Sequence, residues 1–235
     1  MDIDDILHEF ETGARSSKTE TTQPLYNQLV TVMLNERMAP DLLPYKHELM
    51  KTVLTELLNQ QQFLLDSYEY GDSNADSGVV SGDFKLQLMI IETDIERLSY
   101  VVRLYIRTRL AKIDSFLIYY INETEDDTGT ATSLLSPEER DYMHKHFQIL
   151  TKLYNNSFLK KFPTFLTLLD DNAGGQQMVD APDTEQPVFI RVLSKEPIVI
   201  SLGNEGELEL VENGIYVVRY RLIKEFLELG DVVLI

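Results

Sequence analysis

The stretch LQLMIIETDIERLSYVVRLYIRTRLAKIDSFLIYYI, residues 86–121, contains neither Pro nor Gly. Its apolar residues fall at helical spacing: Leu88, Ile91, Ile95, Leu98, Val102, Ile106, Leu110, Ile113, Leu117 and Tyr120. That three–four rhythm is the mark of a packed helix face. A second line, through Ile90, Val101, Leu104, Tyr105, Phe116 and Tyr119, widens the stripe beyond one seam. At about 1.5 Å per residue such a helix spans roughly 50 Å, more than the width of a small domain. It calls for neighbours on more than one side, some of them expected from other chains.

Working outward, residues 1–11 read as a short amphipathic unit and the Ser/Thr/Lys/Glu-rich residues 12–23 as a flexible tether. A helical domain over 24–169 follows. Its helices start near Pro24, near His47 and with the long stretch. Between the first two, Pro40-Asp41-Leu42-Leu43-Pro44-Tyr45 is a stiff apolar turn. A fourth helix opens at Ser136-Pro137-Glu138-Glu139, with Ser at the N-cap, Pro in the first turn and Glu three residues on for a capping box. Residues 170–187 carry Gly, Gln, Asp and Pro without period and read as a linker. Beyond it, 188–235 is a small β-rich domain with short strands, turn signals such as Asn213-Gly214, and a helix over Leu222–Leu229. The fold class is α+β: a mainly helical, long-helix bundle followed by a small β-rich domain.

Composition narrows the chemistry. Net charge is −18, with 39 acidic against 21 basic residues, so phosphate backbones are repelled in general and no strong direct nucleic-acid binding is expected. Arg97, Arg103, Arg107, Arg109 and Lys112 scatter around the long helix among acidic neighbours, and read as ion pairs within the helix or between subunits. With no Cys, thiol catalysis and disulfides are excluded. The N-terminus, Met1-Asp2-Ile3-Asp4-Asp5, is the acidic reverse of a signal peptide, and no apolar run suits a membrane span. A soluble intracellular protein is expected.

No catalytic constellation, cofactor site or metal site is expected. His144 and His146 lie two apart on a helix and point about 200° apart, which suits chelation badly. Asp72-x-Asn74-x-Asp76, with Asp83 at the twelfth position, has calcium-loop spacing, yet the sixth position is Ser77 rather than Gly. A solvated loop is the preferred reading; the competing one is an enzyme with a calcium or carboxylate site there. The N-terminal unit is more specific. Ile3, Ile6, Leu7 and Phe10 form one apolar face on an acidic peptide that also carries Asp4 and Asp5, suited to a partner's groove. A self-contained helical adaptor that works as a monomer is the alternative for the whole chain.

Several of these stretches together resemble the Sld-five family of the eukaryotic GINS complex. They are Asn35-Glu36-Arg37-Met38-Ala39-Pro40-Asp41-Leu42-Leu43-Pro44-Tyr45, Glu92-Thr93-Asp94-Ile95-Glu96-Arg97-Leu98, and Tyr105 through Ile113. Leu135-Ser136-Pro137-Glu138-Glu139, Val188 through Val192, and Gly214 through Tyr220 and on to Leu234-Ile235 complete the series. The resemblance runs in order over nearly the whole chain and points to a fungal member. It implies a non-catalytic, nuclear subunit of a heterotetramer with three other GINS subunits. That tetramer would join the MCM motor and the Cdc-forty-five protein in the CMG replicative helicase of the replisome. Subunit-interface candidates are Leu98, Val102, Tyr105, Ile106, Arg107, Leu110 and Ile113. The N-terminal peptide resembles the box that docks on the trimeric replisome hub (Ctf-four, And-one), matching at Asp4, Asp5, Ile6, Leu7 and Glu9, with Phe10 where Leu is commoner.

Overall fold

A computed structural model describes residues 19–73, 82–126, 134–163, 179–201 and 206–235. Among the described residues five helices come first: α1 (Thr19–Met38), α2 (His47–Ser73), α3 (Gly82–Ser115), α4 (Leu117–Asp126) and α5 (Pro137–Ser157), with a 3-10 turn at Leu159–Lys161. Strands β1 (Pro187–Val192), β2 (Ile198–Ser201), β3 (Glu207–Leu210) and β4 (Ile215–Arg219) follow, then α6 (Tyr220–Leu229) and β5 (Val232–Leu234). The fold is α+β, a helical bundle followed by a small sheet region. The calcium-spaced loop lies largely outside the described residues.

Two compact units divide the described chain. One holds the residues up to Met33 together with Lys46–Tyr105; the other holds Leu34–Tyr45 and Ile106–Ile235. In the first, Leu29, Met33, Met50, Val53, Leu88, Val101, Val102 and Tyr105 are buried. The main apolar line of the long stretch is wholly buried or half-buried, whereas Ile90 of the second line is exposed.

Sequence reading expects one helix from 86 to 121, and the structure shows two. α3 ends at Ser115 and α4 begins at Leu117, although the i→i−4 bonds from Phe116 to Lys112 and from Tyr120 to Phe116 both form at 3.0 Å. The Ser115 hydroxyl donates to the Ala111 carbonyl at 2.9 Å, a back-bond that competes with the helix ladder. On both sides of Phe116, Ile113, Leu117, Tyr120 and Ile121 pack with Leu42, Leu135 and Met143.

The capping box forms as the sequence predicts. Ser136 Oγ accepts from the Glu139 amide at 3.1 Å, and Glu139 Oε2 accepts from the Ser136 amide at 3.0 Å. In the β region the strands keep a period of two, with Val188, Ile190 and Val192 inward. β1 is the centre of a three-stranded antiparallel sheet, β4-β1-β5, with Val188 opposite Val218 and Ile190 opposite Leu234. β2 and β3 form a separate hairpin. α6 lays Tyr220, Ile223 and Leu227 on this core, and Ala39 and Leu43, from the turn after α1, complete it. The core of the small domain therefore includes residues some 150 positions upstream.

Gly230 ends α6 at φ 87°, its amide donating to the Phe226 and Leu227 carbonyls. A Cβ there meets nothing within 4 Å, so only the backbone conformation resists a side chain. We predict that Gly230→Ala lowers stability by about 1 kcal/mol, read by urea denaturation. No measurable loss would show that α6 can end without the left-handed residue.

Candidate functional site

The most constrained side chain in the second unit is Arg109, from the part of α3 that this unit holds; it has no solvent exposure. A buried guanidinium is tolerable only if its charge and all five N–H donors are met. Here they are. Nε donates to Glu139 Oε1 at 2.7 Å, and one terminal nitrogen donates to Glu36 Oε2 at 2.9 Å and the Leu43 carbonyl at 2.6 Å. The other donates to the Leu134 carbonyl at 2.7 Å and Glu139 Oε2 at 3.0 Å. The Tyr45 ring lies 5.2 Å from the guanidinium carbon, within cation–π range.

One helical turn on, Lys112 extends the node. Its ammonium donates to Glu36 Oε1 and to the Asp41 carbonyl, both at 2.7 Å, and to the Glu36 carbonyl. Burial pulls its pKa below the ordinary lysine value, against the opposing pull of Glu36 and Asp41. Asp41 Oδ1 accepts from the Leu42 amide at 2.7 Å and the Tyr120 hydroxyl at 3.0 Å. Its Oδ2 accepts from Lys224 of α6 at 2.7 Å. Burial alone would lower Lys224; the hydrogen bond and charge of Asp41 outweigh it and hold the ammonium above its usual range. Burial, reinforced by the Asp41 carboxylate, pushes the Tyr120 phenol well up. Three cations thus meet three carboxylates, and the Leu234 amide adds a bond to Asn35 Oδ1 at 2.9 Å. Chemically the arrangement holds; it presents no open position to a substrate.

Of the expected interface residues, Val102, Tyr105 and Ile113 are buried within the chain, Leu98, Ile106 and Leu110 are half-buried, and Arg107 is exposed. Leu110 packs on the Ile113–Tyr120 cluster. Ile3, Asp4, Asp5, Ile6, Leu7 and Phe10 lie outside the described residues. What sequence reasoning missed in the first unit is its exposed apolar surface: Leu58, Phe63 and Leu65 on α2, and Leu86, Met89, Ile90 and Tyr100 on α3, are each more than half exposed. The signal was present as apolar positions off the main stripe. A groove of about 710 Å³ in the same unit is lined by Leu25, Tyr26, Leu57, Ile91, Ile95 and Leu98, among others. No helix among the described residues is long and apolar enough to cross a membrane.

A bundle of this kind, with a small sheet domain after it, matches a family model described as a GINS complex protein helical bundle domain over residues 57–158. A second, described as the C-terminus of DNA replication complex GINS protein SLD5, matches residues 182–235. A Debaryomyces hansenii protein named DNA replication complex GINS protein SLD5 is 67% identical, covering 100% of this chain and 98% of its own length. Proteins with that name from Yarrowia lipolytica and Schizosaccharomyces pombe are 33% and 32% identical over 100% of this chain and 85% and 99% of their own. The chain belongs to the SLD5 family of DNA replication complex GINS proteins.

Arg109→Met would leave Glu139 without a countercharge and Glu36 with Lys112 alone. We predict a loss of about 3–5 kcal/mol in urea denaturation. Lys224→Met, at a lysine whose side chain is 41% exposed, should cost less than about 1 kcal/mol. Equal costs at the two positions would mean that burial does not set the strength of this node.

Proposed function

We propose that this protein is a non-catalytic, nuclear subunit of the GINS heterotetramer and acts within the CMG helicase in DNA replication. The observation that carries the reading is the exposed apolar surface of the first unit, in a chain of this family. Leu58, Leu65, Leu86, Met89, Ile90 and Tyr100 are 54–63% exposed, more large apolar surface than a monomer needs to leave in water. Burial against the other GINS subunits recovers about 25 cal/mol per Å², less the cost of association. Arg107 and the half-buried Leu98, Ile106 and Leu110 extend the same use along α3, with Val102, Tyr105 and Ile113 fixing the helix from within. The domain plan that goes with it is a partner-binding peptide at 1–11, a tether at 12–23 whose last residues, from Thr19, already belong to α1, a helical domain at 24–169, a linker at 170–187 and a β-rich domain at 188–235.

In this reading the MCM motor and the Cdc-forty-five protein are partners of the assembled tetramer, and the N-terminal peptide joins it to the trimeric hub. Ile6 and Leu7 are its central anchors, flanked by Ile3 and Phe10, with Asp4 and Asp5 on the polar side.

Two measurements test this. Native mass spectrometry of the chain co-expressed with the other three GINS subunits should give one 1:1:1:1 species, and Leu58→Glu with Met89→Glu should break it. A soluble monomer that ignores those subunits would sink the proposal. Ile6→Ala with Leu7→Ala should cost hub binding on the order of 3–4 kcal/mol and leave the tetramer whole. Loss of the tetramer in that variant would refute the separation of roles.

A further inference from the structure

From Tyr142 to Leu169 the chain runs 28 residues without an acidic side chain, the longest such run in a protein of net charge −18. Four lysines fall in it: Lys145, Lys152, Lys160 and Lys161. All four are exposed, and none forms an ion pair with a described residue. Lys160 donates only to the Asn156 side chain, at 3.1 Å.

The same surface is apolar along its length. Ile149 is 66% and Leu153 56% exposed. At about 100° per residue, Tyr142, Lys145, Lys152 and Leu153 all fall within about 60° of Ile149 around α5. Lysines lie to one side of the seam and apolar groups to the other. Beyond the helix, Phe158 and Phe162 are both exposed, with ring centroids 6.1 Å apart, and Phe158 packs on Tyr154, on another side of α5 from Ile149. Carboxylates stand at the seam's N-terminal end: exposed Glu138 falls about 20° and Asp141 about 80° from Ile149 around α5, and Asp114 accepts from the Tyr142 hydroxyl at 2.9 Å and contacts His146 Nδ1 at 2.8 Å.

We infer that this face of α5 docks an acidic amphipathic helix of another protein. Charge complementarity selects the sign: the surrounding chain is acidic and repels anions, and this face combines exposed apolar groups with two lysines that form no ion pair with a described residue. The seam selects the class. Apolar side chains at i, i+7 and i+11, here Tyr142, Ile149 and Leu153, fit a second helix laid alongside. A single nucleic-acid strand would instead need successive aromatic platforms at the centre. The surface shares no residue with the buried Arg109 node or with the N-terminal peptide.

The probe is a fluorescein-labelled synthetic helix with Leu at heptad positions and Glu elsewhere, titrated by anisotropy into the full chain assembled with the other GINS subunits. Micromolar binding that weakens with salt supports the inference. So does at least a tenfold loss on Ile149→Ser with Leu153→Ser. Lys145→Glu with Lys152→Glu should weaken the acidic probe severalfold and strengthen a probe carrying Lys in place of Glu. Both pairs are exposed, and an unchanged thermal melt verifies the fold. Absence of binding, or binding that ignores all four substitutions, overturns the proposal. Tighter binding of a 20-nucleotide oligo(dT) would make the face a nucleic-acid surface. A tenfold gain on deleting residues 1–18 would assign it to the chain's own N-terminus, and binding by the lone chain but not the tetramer would assign it to another GINS subunit; each of these also overturns it.

Discussion

A guanidinium with no exposure to water organises the second unit. Arg109 cannot lose its proton, so burying it is tolerable only where carboxylates and carbonyls surround it. That requirement fixes four pieces of chain at once: the end of α1 through Glu36, the turn through the Leu43 carbonyl, the approach to α5 through the Leu134 carbonyl, and the first turn of α5 through Glu139. Lys112 then takes the Glu36 oxygen that the arginine leaves free, and Lys224 neutralises Asp41, which the arginine does not touch. The small β domain joins the same arrangement through Lys224 and the Leu234 amide, while Ala39 and Leu43 enter its apolar core. Polar and apolar contacts here agree on one placement, which is what a specific fold requires.

Glu139 illustrates the economy of the design. As third residue of a capping box it closes the Ser136 amide; as a carboxylate it receives two guanidinium nitrogens. A helix terminus and a long-range ion pair therefore use one side chain, and each holds its rotamer for the other. The stretch Asn35–Tyr45 shows the same density. Asn35, Glu36, Ala39, Asp41, Leu42, Leu43 and Tyr45 each make a contact that joins this turn to a distant part of the unit, and the same residues carry much of the resemblance to the GINS proteins.

What could be read without coordinates was what is local. The capping box is four residues long, the strands are short runs between turn signals such as Asn213-Gly214, and both were legible for that reason. α6, expected over Leu222–Leu229 and observed over Tyr220–Leu229, follows the same logic. Arg109 was not legible: its spacing is that of Arg103 and Arg107, which face water, and its partners lie 73 and 30 residues away. Periodicity records which face of a helix is apolar and says nothing of which charged residue on that face is consumed by a partner. The interruption at Phe116 escaped as well, because hydrogen bonds and the apolar period both continue through it. Exposed apolar groups such as Leu58 and Met89 differ from core leucines only in what surrounds them.

Asp41 and Lys224 are 183 residues apart, and Asn35 and Leu234 are 199 apart. On a ribosome the turn after α1 leaves the exit tunnel long before its partners are translated. During that interval Glu36 and Asp41 stay hydrated, and Ala39 and Leu43 have no sheet to join. Closing so distant a pair is slow compared with helix formation. The nascent chain thus spends most of its synthesis with helices made and this seam open, and it is in that window that a chaperone has most to shield.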